Sequence, residues 1–294
     1  MSTSPVFEKS DSLAEHTEQE AVKNLSPTSA INIAKIIKQS KKIVIKIGSN
    51  TLADTNGKPN AVFMENLARQ CSEFLNNGKQ IVIVSSGAQV CGLSTINGWA
   101  HKKDMHYRQA LCAIGQVELM EQWRLAFRKF NLHIGQLLLT KNDFLDAHCS
   151  LNIRNTLFTL VDENIVPIIN ENDSVAFDEI AIGDNDNLSA LIANLWSADL
   201  LILFSDVDGI YTDNPKTNKN ARLVETVNDI SALRKTITIG EANSFGTGGI
   251  ETKIVAAEFA SEHGIPLLLA KGTENALENL SSGKAHGTLF LAAT

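Results

Sequence analysis

The chain has 294 residues, of which 44% are hydrophobic and 20% are charged, and its formal net charge is -7. This composition is typical of a globular protein with a large core and one or two domains. The acidic balance argues against non-specific nucleic-acid binding, which needs a basic patch to neutralise phosphates. Nucleotide binding stays open, because local lysines and helix N-termini can provide it.

Four cysteines and the lack of long apolar runs favour a cytoplasmic protein. The cysteines form no C-x-x-C pair and no common zinc spacing, so we expect reduced thiols used as small apolar residues. No run reaches the roughly 18 apolar residues of a membrane span, and the N-terminus has no signal pattern. The four cysteines are Cys71, Cys91, Cys112 and Cys149.

Two regions are expected along the chain. Residues 1–27 are polar and charged, and such a segment cannot bury enough apolar surface to offset the entropy of ordering. We therefore predict a disordered extension followed by one domain over residues 28–294.

Strands and helices are predicted to alternate after this extension. Short apolar runs between longer helical patterns indicate a mostly parallel sheet covered on both faces, with ligands at the carboxyl ends of the strands. In chain order, the predicted strands are 43–47, 81–84, 133–139, 166–169, 199–204 and 267–269. The predicted helices are 29–39, 62–75, 108–130, 151–163, 188–196 and 250–263.

Polar or glycine-rich segments follow several of these strands. Lys46 lies inside an apolar strand, where an ammonium is costly unless it is paired or reaches a functional cavity, and Gly48 after it allows close approach of a ligand. The turn at 85–88 (Ser-Ser-Gly-Ala) exposes N–H groups that favour an anion. Either segment could also be an ordinary strand end.

Two dense polar clusters form the strongest signal. Residues 170–173 read Asn-Glu-Asn-Asp, and residues 183–187 read Gly-Asp-Asn-Asp-Asn directly before a helical pattern. Asp186 or Asn187 is the predicted N-cap of that helix. A cap needs one such residue, so the surplus suggests a site for a small polar ligand such as an amino acid, whose ammonium group favours carboxylates.

Two later segments suit a phosphorylated ligand. Ser205 and Asp206 follow a strongly apolar strand, and residues 246–249 read Gly-Thr-Gly-Gly just before Lys253. Backbone N–H groups of such a loop, with a lysine in the first turn of the next helix, could neutralise a phosphoryl group in transfer. The P-loop and protein-kinase motifs are absent, a Rossmann fingerprint is weak, and the seven histidines show no metal-ligand spacing.

In this order, the motifs K-I-G-S, S-S-G-A, I-N-E-N-D, G-D-N-D-N-L-S-A, S-D-V-D-G-I-Y-T and F-G-T-G-G-I-E-T-K resemble the amino-acid kinase superfamily. Within it, I-N-E-N-D with G-D-N-D-N-L-S-A resembles the glutamate 5-kinase family. The resemblance runs from about residue 41 to the end. It implies a three-layer α/β/α sandwich around a mostly parallel sheet of about eight strands. The implied reaction is phosphorylation of the γ-carboxylate of L-glutamate by MgATP, the first step of proline biosynthesis.

The resemblance also implies residue roles, and it carries each of them onto a position of this chain. Lys46 and Lys253 would neutralise the transferring phosphoryl group, and Asp186 would orient both lysines. The residues implied to bind glutamate are Ser86, Asp173 and Asn185, with Asn170 and Asp184 close by. Those implied to bind ATP are Lys46, Gly48, Ser205, Asp206, Gly246, Thr247, Gly248, Gly249 and Lys253, with Mg²⁺ held mainly by the nucleotide phosphates.

The resemblance further implies a homo-oligomer, either dimer or tetramer, and feedback inhibition by L-proline. Two departures stand out: many bacterial members carry a C-terminal PUA domain, which is not found here, and Ser49-Asn50 replaces the usual Thr-Ser. The alternatives are another amino-acid kinase, of the acetylglutamate kinase or aspartokinase type, and a non-catalytic amino-acid sensor. Retention of both lysines argues against the sensor, since a glutamate binder needs neither.

Overall fold

A computed structural model describes residues 30–96, 104–175, 184–215, 217–236 and 249–293. The predicted extension, residues 1–27, lies outside these ranges. The strands are β1 (Lys42–Ile47), β2 (Gln80–Ser85), β3 (His133–Leu139), β4 (Ile165–Glu171), β5 (Leu200–Ser205), β6 (Thr226–Val227), β7 (Leu267–Lys271) and β8 (Thr288–Phe290). The first half of the chain forms helices α1 (Ala30–Gln39), α2 (Ser49–Leu52), α3 (Ala61–Asn76), α4 (Ala88–Thr95) and α5 (Met105–Arg128). The second half forms α6 (Ala147–Asp162), α7 (Asp184–Trp196), α8 (Ile230–Thr236), α9 (Ile250–Glu262) and α10 (Ala276–Ser281), and a 3₁₀ turn at Lys141–Phe144 precedes α6.

The described strands form one sheet of eight, in the order β3-β4-β2-β1-β5-β7-β8-β6. Every pair from β3 through β7 is parallel, and only β7 with β8 is antiparallel. β1 therefore lies near the middle, between β2 and β5. Parallel strands buried on both faces read as continuous apolar runs, which explains why β1, β2 and β5 were predictable from their sequences.

Two apolar clusters cover the two faces of this sheet. Alternate side chains of a strand point to opposite faces, so Ile43 and Ile45 of β1 join one cluster and Val44 joins the other. The first cluster contains residues of α1, α3, α4, α5 and α10. The second contains residues of α6, α7, α8 and α9. The predicted three-layer α/β/α sandwich is thus confirmed.

The start of α7 corrects one prediction. The helix begins at Asp184, so Asp186 is its third residue and neither Asp186 nor Asn187 is its N-cap. Several consecutive short polar residues can each cap a helix, and the local pattern could not choose among them.

Three of the four cysteines behave as expected. Cys71, Cys91 and Cys112 are buried, whereas Cys149 near the start of α6 is exposed. Burial raises the pKa of the Cys91 and Cys112 thiols to about 12, as expected for apolar surroundings. No helix in the described ranges has the length and apolar character needed to cross a membrane.

Candidate active site

The carboxyl ends of four neighbouring strands bring the predicted site residues together. These strands lie in the order β4-β2-β1-β5. Asn170 lies at the end of β4, Ser86 follows β2, Gly48 follows β1 and Asp206 follows β5. The chain positions are up to 158 residues apart, yet the parallel sheet places their strand ends along one edge, where ligands bind in such folds.

Lys46, Asp186 and Lys253, here named the lysine–aspartate group, form its charged half. The Lys46 Nζ lies 2.6 Å from Asp186 Oδ1, and the Lys253 Nζ lies 3.2 Å from Asp186 Oδ2. The Thr252 hydroxyl also donates to Asp186 Oδ2, at 2.9 Å. One carboxylate thus joins two ammonium groups that come from β1 and α9.

The periodicity of three elements produces this arrangement. Lys46 has the same parity as Val44 in β1, so its side chain points toward the α7 and α9 layer. Asp186 lies in the first turn of α7 and Lys253 in the first turn of α9, and these two helices pack against each other. A carboxylate in the first turn is favoured by the positive end of the helix dipole.

Burial makes the charges in this group interact strongly. The exposed fraction is 0% for Asp186, 6% for Lys46 and 5% for Lys253. Burial alone would raise the pKa of Asp186, but the two lysines outweigh it and hold that pKa below its usual value. Burial lowers the pKa of Lys253, and the positive charge of Lys46 lowers it further. These two causes together outweigh Asp186, which raises it. Because the group holds two cations and one anion, it carries a net positive charge suited to an anionic ligand.

Ser86, Asn185, Asn170 and Gln116, here named the amide cluster, form the neutral half. Asn185 Nδ2 donates to Ser86 Oγ at 2.8 Å and to Asn170 Oδ1 at 2.9 Å. Asn170 Nδ2 in turn donates to Gln116 Oε1 at 2.8 Å. Both amide hydrogens of Asn185 are used, so the Ser86 oxygen acts as an acceptor here, and no residue in the described ranges accepts the proton of its hydroxyl.

The turn between β2 and α4 presents Ser86 to this cluster. Gly87 has φ +107°, in the left-handed region that disfavours side chains, and it precedes the first residue of α4. The Trp123 indole N–H donates to Ser85 Oγ at 2.8 Å, which fixes the strand end next to Ser86. The small residues at 85–88 therefore have a geometric reason.

The remaining predicted glutamate-binding residues lie beside the amide cluster. Asp173 is in the turn after β4, half-buried, and forms a hydrogen bond with the Cys112 thiol of α5. Asp184 is the first residue of α7. Asp184 adjoins Asn185 in the chain and Asp173 lies three residues after Asn170, and the hydrogen bond from Asn185 to Asn170 shows that the two polar clusters of the sequence meet in space.

The predicted ATP-binding residues are placed only in part. Asp206 accepts hydrogen bonds from Ser205 Oγ at 3.1 Å and from Asn50 Nδ2 at 3.1 Å. A Cβ built on Gly48 would lie 3.6 Å from the Lys46 Nζ, an ordinary van der Waals contact, so Gly48 directly adjoins that ammonium. Gly249 directly precedes α9. Gly246, Thr247 and Gly248 lie outside the described residues.

Three contacts at the site came from residues that the sequence did not single out for them. Gln116 lies mid-helix in α5, Thr252 is adjacent to Lys253, and Asn50 of α2 donates to Asp206, which follows β5. For Thr252 a signal existed, since it belongs to the Glu-Thr-Lys motif. A single glutamine within a helix has no local signature. In the described ranges, no group of three or more His, Cys, Asp or Glu side chains is arranged to hold a metal ion.

Comparison with known proteins identifies one family profile and several similar sequences. The profile of the Amino acid kinase family matches residues 41–271. A glutamate 5-kinase of Alkaliphilus metalliredigens is 57% identical over 88% of this chain and 99% of its own length, and one of Treponema pallidum (strain Nichols) is 43% identical over 86% and 96%. A glutamate 5-kinase of Geobacter metallireducens is 40% identical over 88% of this chain but only 69% of its own length.

Solved structures support the fold. The UMP kinase of Ureaplasma parvum superposes with a TM-score of 0.60 at 19% identity, over 86% of this chain and 99% of that chain. The UMP kinase of Bacillus anthracis gives a TM-score of 0.61 at 18% identity. At such identities the likeness concerns the fold alone.

Proposed function

Since the chain belongs to the Amino acid kinase family, we propose that it is a glutamate 5-kinase, which transfers the γ-phosphoryl group of ATP to the γ-carboxylate of L-glutamate. Relatives of that name cover 86–89% of the chain at 40–57% identity. The product is L-glutamyl 5-phosphate, the first intermediate of proline biosynthesis. The single structural observation that supports this most is the buried carboxylate of Asp186 between two buried lysines.

The reaction suits a site that supplies charge and position. A γ-carboxylate oxygen of glutamate attacks the γ-phosphorus, a new P–O bond forms, and the bond to the β–γ bridging oxygen breaks with release of ADP. Glutamate is already ionised near neutral pH, so no general base is needed. Phosphoryl transfer depends mainly on alignment and on neutralisation of the phosphoryl oxygens.

The lysine–aspartate group carries the neutralisation in this proposal. Lys46 and Lys253 approach Asp186 from different elements, and their ammonium groups would contact the transferring phosphoryl group from two sides. Asp186 would keep both ammonium groups oriented before ATP binds. Such preorganised charges stabilise a transition state without reorganisation during the reaction.

The amide cluster carries substrate recognition. The Ser86 proton, left available by the Asn185 contact, would donate to a carboxylate of glutamate. Asp173 would pair with the α-ammonium group, and Asn185 and Asp184 would line the same pocket. Asn170 is only 2% exposed, so its contribution would come mainly from holding Asn185.

ATP would bind where β1 and β5 end. Ser205, Asp206 and Gly48 would contact the nucleotide together with residues 246–249. The described residues fit a Mg²⁺ ion held mainly through the phosphates, because they offer isolated carboxylates such as Asp206 rather than a cluster of ligands. Bound in this way, Mg²⁺ would neutralise charge on the β- and γ-phosphates.

One assay tests the activity against its alternatives. The purified protein is incubated with MgATP and either L-glutamate, L-aspartate or N-acetyl-L-glutamate, and ADP release is measured. Hydroxylamine in the assay traps an acyl phosphate as a hydroxamate, which identifies a carboxylate as the acceptor. We expect turnover with glutamate alone. Turnover with aspartate or acetylglutamate would support another amino-acid kinase, and tight glutamate binding with no ADP release would support a sensor.

Regulation, assembly and location complete the proposal. L-Proline shares the α-carboxylate and α-nitrogen of glutamate, so it would compete at the glutamate pocket. A homo-oligomer, dimer or tetramer, and a cytoplasmic location agree with the family resemblance. Size-exclusion chromatography with light scattering would measure the assembly, and a fluorescent fusion would locate the protein in the cell.

A further inference from the structure

Gln116 of α5 is the least explained polar residue near the site. It is 9% exposed, and its Oε1 accepts from Asn170 Nδ2 at 2.8 Å. Its own Nε2 is buried with no hydrogen-bond partner among the described residues. A buried amide with one orphaned end is costly for stability, and such groups persist mostly where another role retains them.

Gln116 completes the hydrogen bonds that hold the Asn170 carboxamide. The Glu171 backbone N–H donates to Asn170 Oδ1 at 2.9 Å and to Asn185 Oδ1 at 3.3 Å, so the backbone sets the direction of both carboxamides. Asn170 Nδ2 then faces Gln116 Oε1, and Asn170 Oδ1 also accepts from Asn185 Nδ2, whose second hydrogen reaches Ser86. Gln116 Oε1 is therefore the anchor at the far end of a path of hydrogen bonds that leads through Asn170 and Asn185 to Ser86.

The packing of α5 holds this oxygen in place. A Cβ built on Gly115 would lie 1.8 Å from the Ala88 carbonyl oxygen of α4, and one on Gly92 would lie 2.2 Å from the Leu111 carbonyl oxygen. Only glycines permit this close crossing of α4 and α5. Four residues before Gln116, and thus on the same helix face, the Cys112 thiol forms a hydrogen bond with Asp173.

We propose that Gln116 is a positioning residue for glutamate binding, which anchors Asn170 and thereby holds Asn185 and Ser86 in the geometry that receives the substrate. The proposal rests on the glutamate kinase activity proposed above. It predicts that a change at Gln116 affects glutamate binding and not ATP binding. None of the four hydrogen-bonded residues Gln116, Asn170, Asn185 and Ser86 lies among the predicted ATP-binding residues.

Gln116→Met tests this with little change in volume, because methionine is unbranched and of similar length. We expect the glutamate KM to rise roughly three- to tenfold, the size of one lost neutral hydrogen bond, with the ATP KM unchanged. The matched control is Gln70→Met. Gln70 is another buried helical glutamine, whose Nε2 donates to the Asn66 and Glu274 carbonyls away from the site. The Gln70→Met variant should have a lower melting temperature and an unchanged glutamate KM.

A double-mutant cycle separates positioning from a general structural role. In an Asn170→Ala background, Gln116→Met should raise the glutamate KM by less than about twofold, because the path is already broken. Full additivity, or an unchanged KM in the single variant, would overturn the proposal. If Gln116→Met does not fold, Gln116→Asn serves instead, since it withdraws the amide by one methylene and should give the same KM change. Absence of glutamate-dependent turnover in the unmodified protein would instead overturn the proposed function.

Discussion

The lysine–aspartate group and the amide cluster lie at the carboxyl ends of the same strands but differ in charge and in the elements that build them. The first is charged, buried and built from β1, α7 and α9, while the second is neutral and built from the β2 turn, β4, α5 and the start of α7. Asn185 and Asp186 are adjacent in the first turn of α7, and Asn185 belongs to the amide cluster whereas Asp186 belongs to the lysine–aspartate group. In the proposed reaction these two groups would serve charge neutralisation and substrate recognition, and mutations should then separate the two roles.

Removal of the shared anion should have the largest effect. Asp186→Asn keeps the shape but leaves Lys46 and Lys253 buried without their carboxylate, which should destabilise the fold by about 3–5 kcal/mol. Urea denaturation measures this. The control is Glu65→Gln, which breaks the exposed pair with Lys129 and should cost less than about 1 kcal/mol. Equal stability losses in the two variants would show that burial does not set the charged group apart.

Lys253→Ala should separate turnover from binding. Its charge matters most as phosphoryl charge develops, so kcat should fall by about 100-fold or more, while the glutamate affinity changes little. Lys79→Ala is the matched control, because Lys79 donates to the carbonyls of Ile37, Lys38 and Ser40 at the opposite edge of the sheet. It should reduce stability and spare kcat. Near-normal turnover of Lys253→Ala at saturating ATP would refute the assigned role.

Asp173→Asn should weaken binding of glutamate and proline without affecting ATP. Loss of a charge-assisted contact to the α-ammonium group should cost roughly 1.5–3 kcal/mol for each ligand that uses it. The glutamate KM and the proline inhibition constant should therefore rise together by about tenfold or more, and the ATP parameters should stay nearly constant. A raised glutamate KM with unchanged proline inhibition would mean that the two ligands do not share this contact.

The smallest effect concerns pH. The pKa of Lys253 lies below the usual 10.5 because of burial, so its proton, and with it kcat, should be lost at a lower pH than for an ordinary lysine. The folded state also binds this proton less tightly than the unfolded state does.

Protonated Lys253 therefore lowers the free energy of unfolding. This destabilisation should disappear as the pH rises from the pKa of the folded state to the usual 10.5. A pH–rate profile checks the first point, and Lys253→Arg, which stays protonated, should remove this alkaline decline from whatever activity it retains.

The sequence predicted the central strands of the sheet better than the short strands β6 and β8. β1, β2 and β5 are apolar runs bounded by polar or small residues, so their limits were right within one or two residues. β6 and β8 have two and three residues, too few for a periodic pattern, and the antiparallel β8 was therefore missed. The predicted start of α7 was wrong because four consecutive polar residues can each act as a cap.

Some residues of the candidate site could likewise be predicted from the sequence and others could not. Lys46 was conspicuous, since an ammonium within an apolar strand needs a partner, and the structure supplies Asp186. Gln116 could not be found, because its importance depends on a close helix crossing at Gly92 and Gly115 that no local pattern reveals. The assigned roles of these residues remain predictions.

The central position of β1 has a consequence for synthesis of the protein. β1 pairs with β2 soon after it in the chain, but its other neighbour, β5, begins only at Leu200, and Lys253 comes later still. Contacts between such distant segments form slowly and late in folding. A growing chain emerging from the ribosome therefore carries Lys46 without its carboxylate until α7 has been made. The enzyme site can exist only when nearly the whole domain has been synthesised.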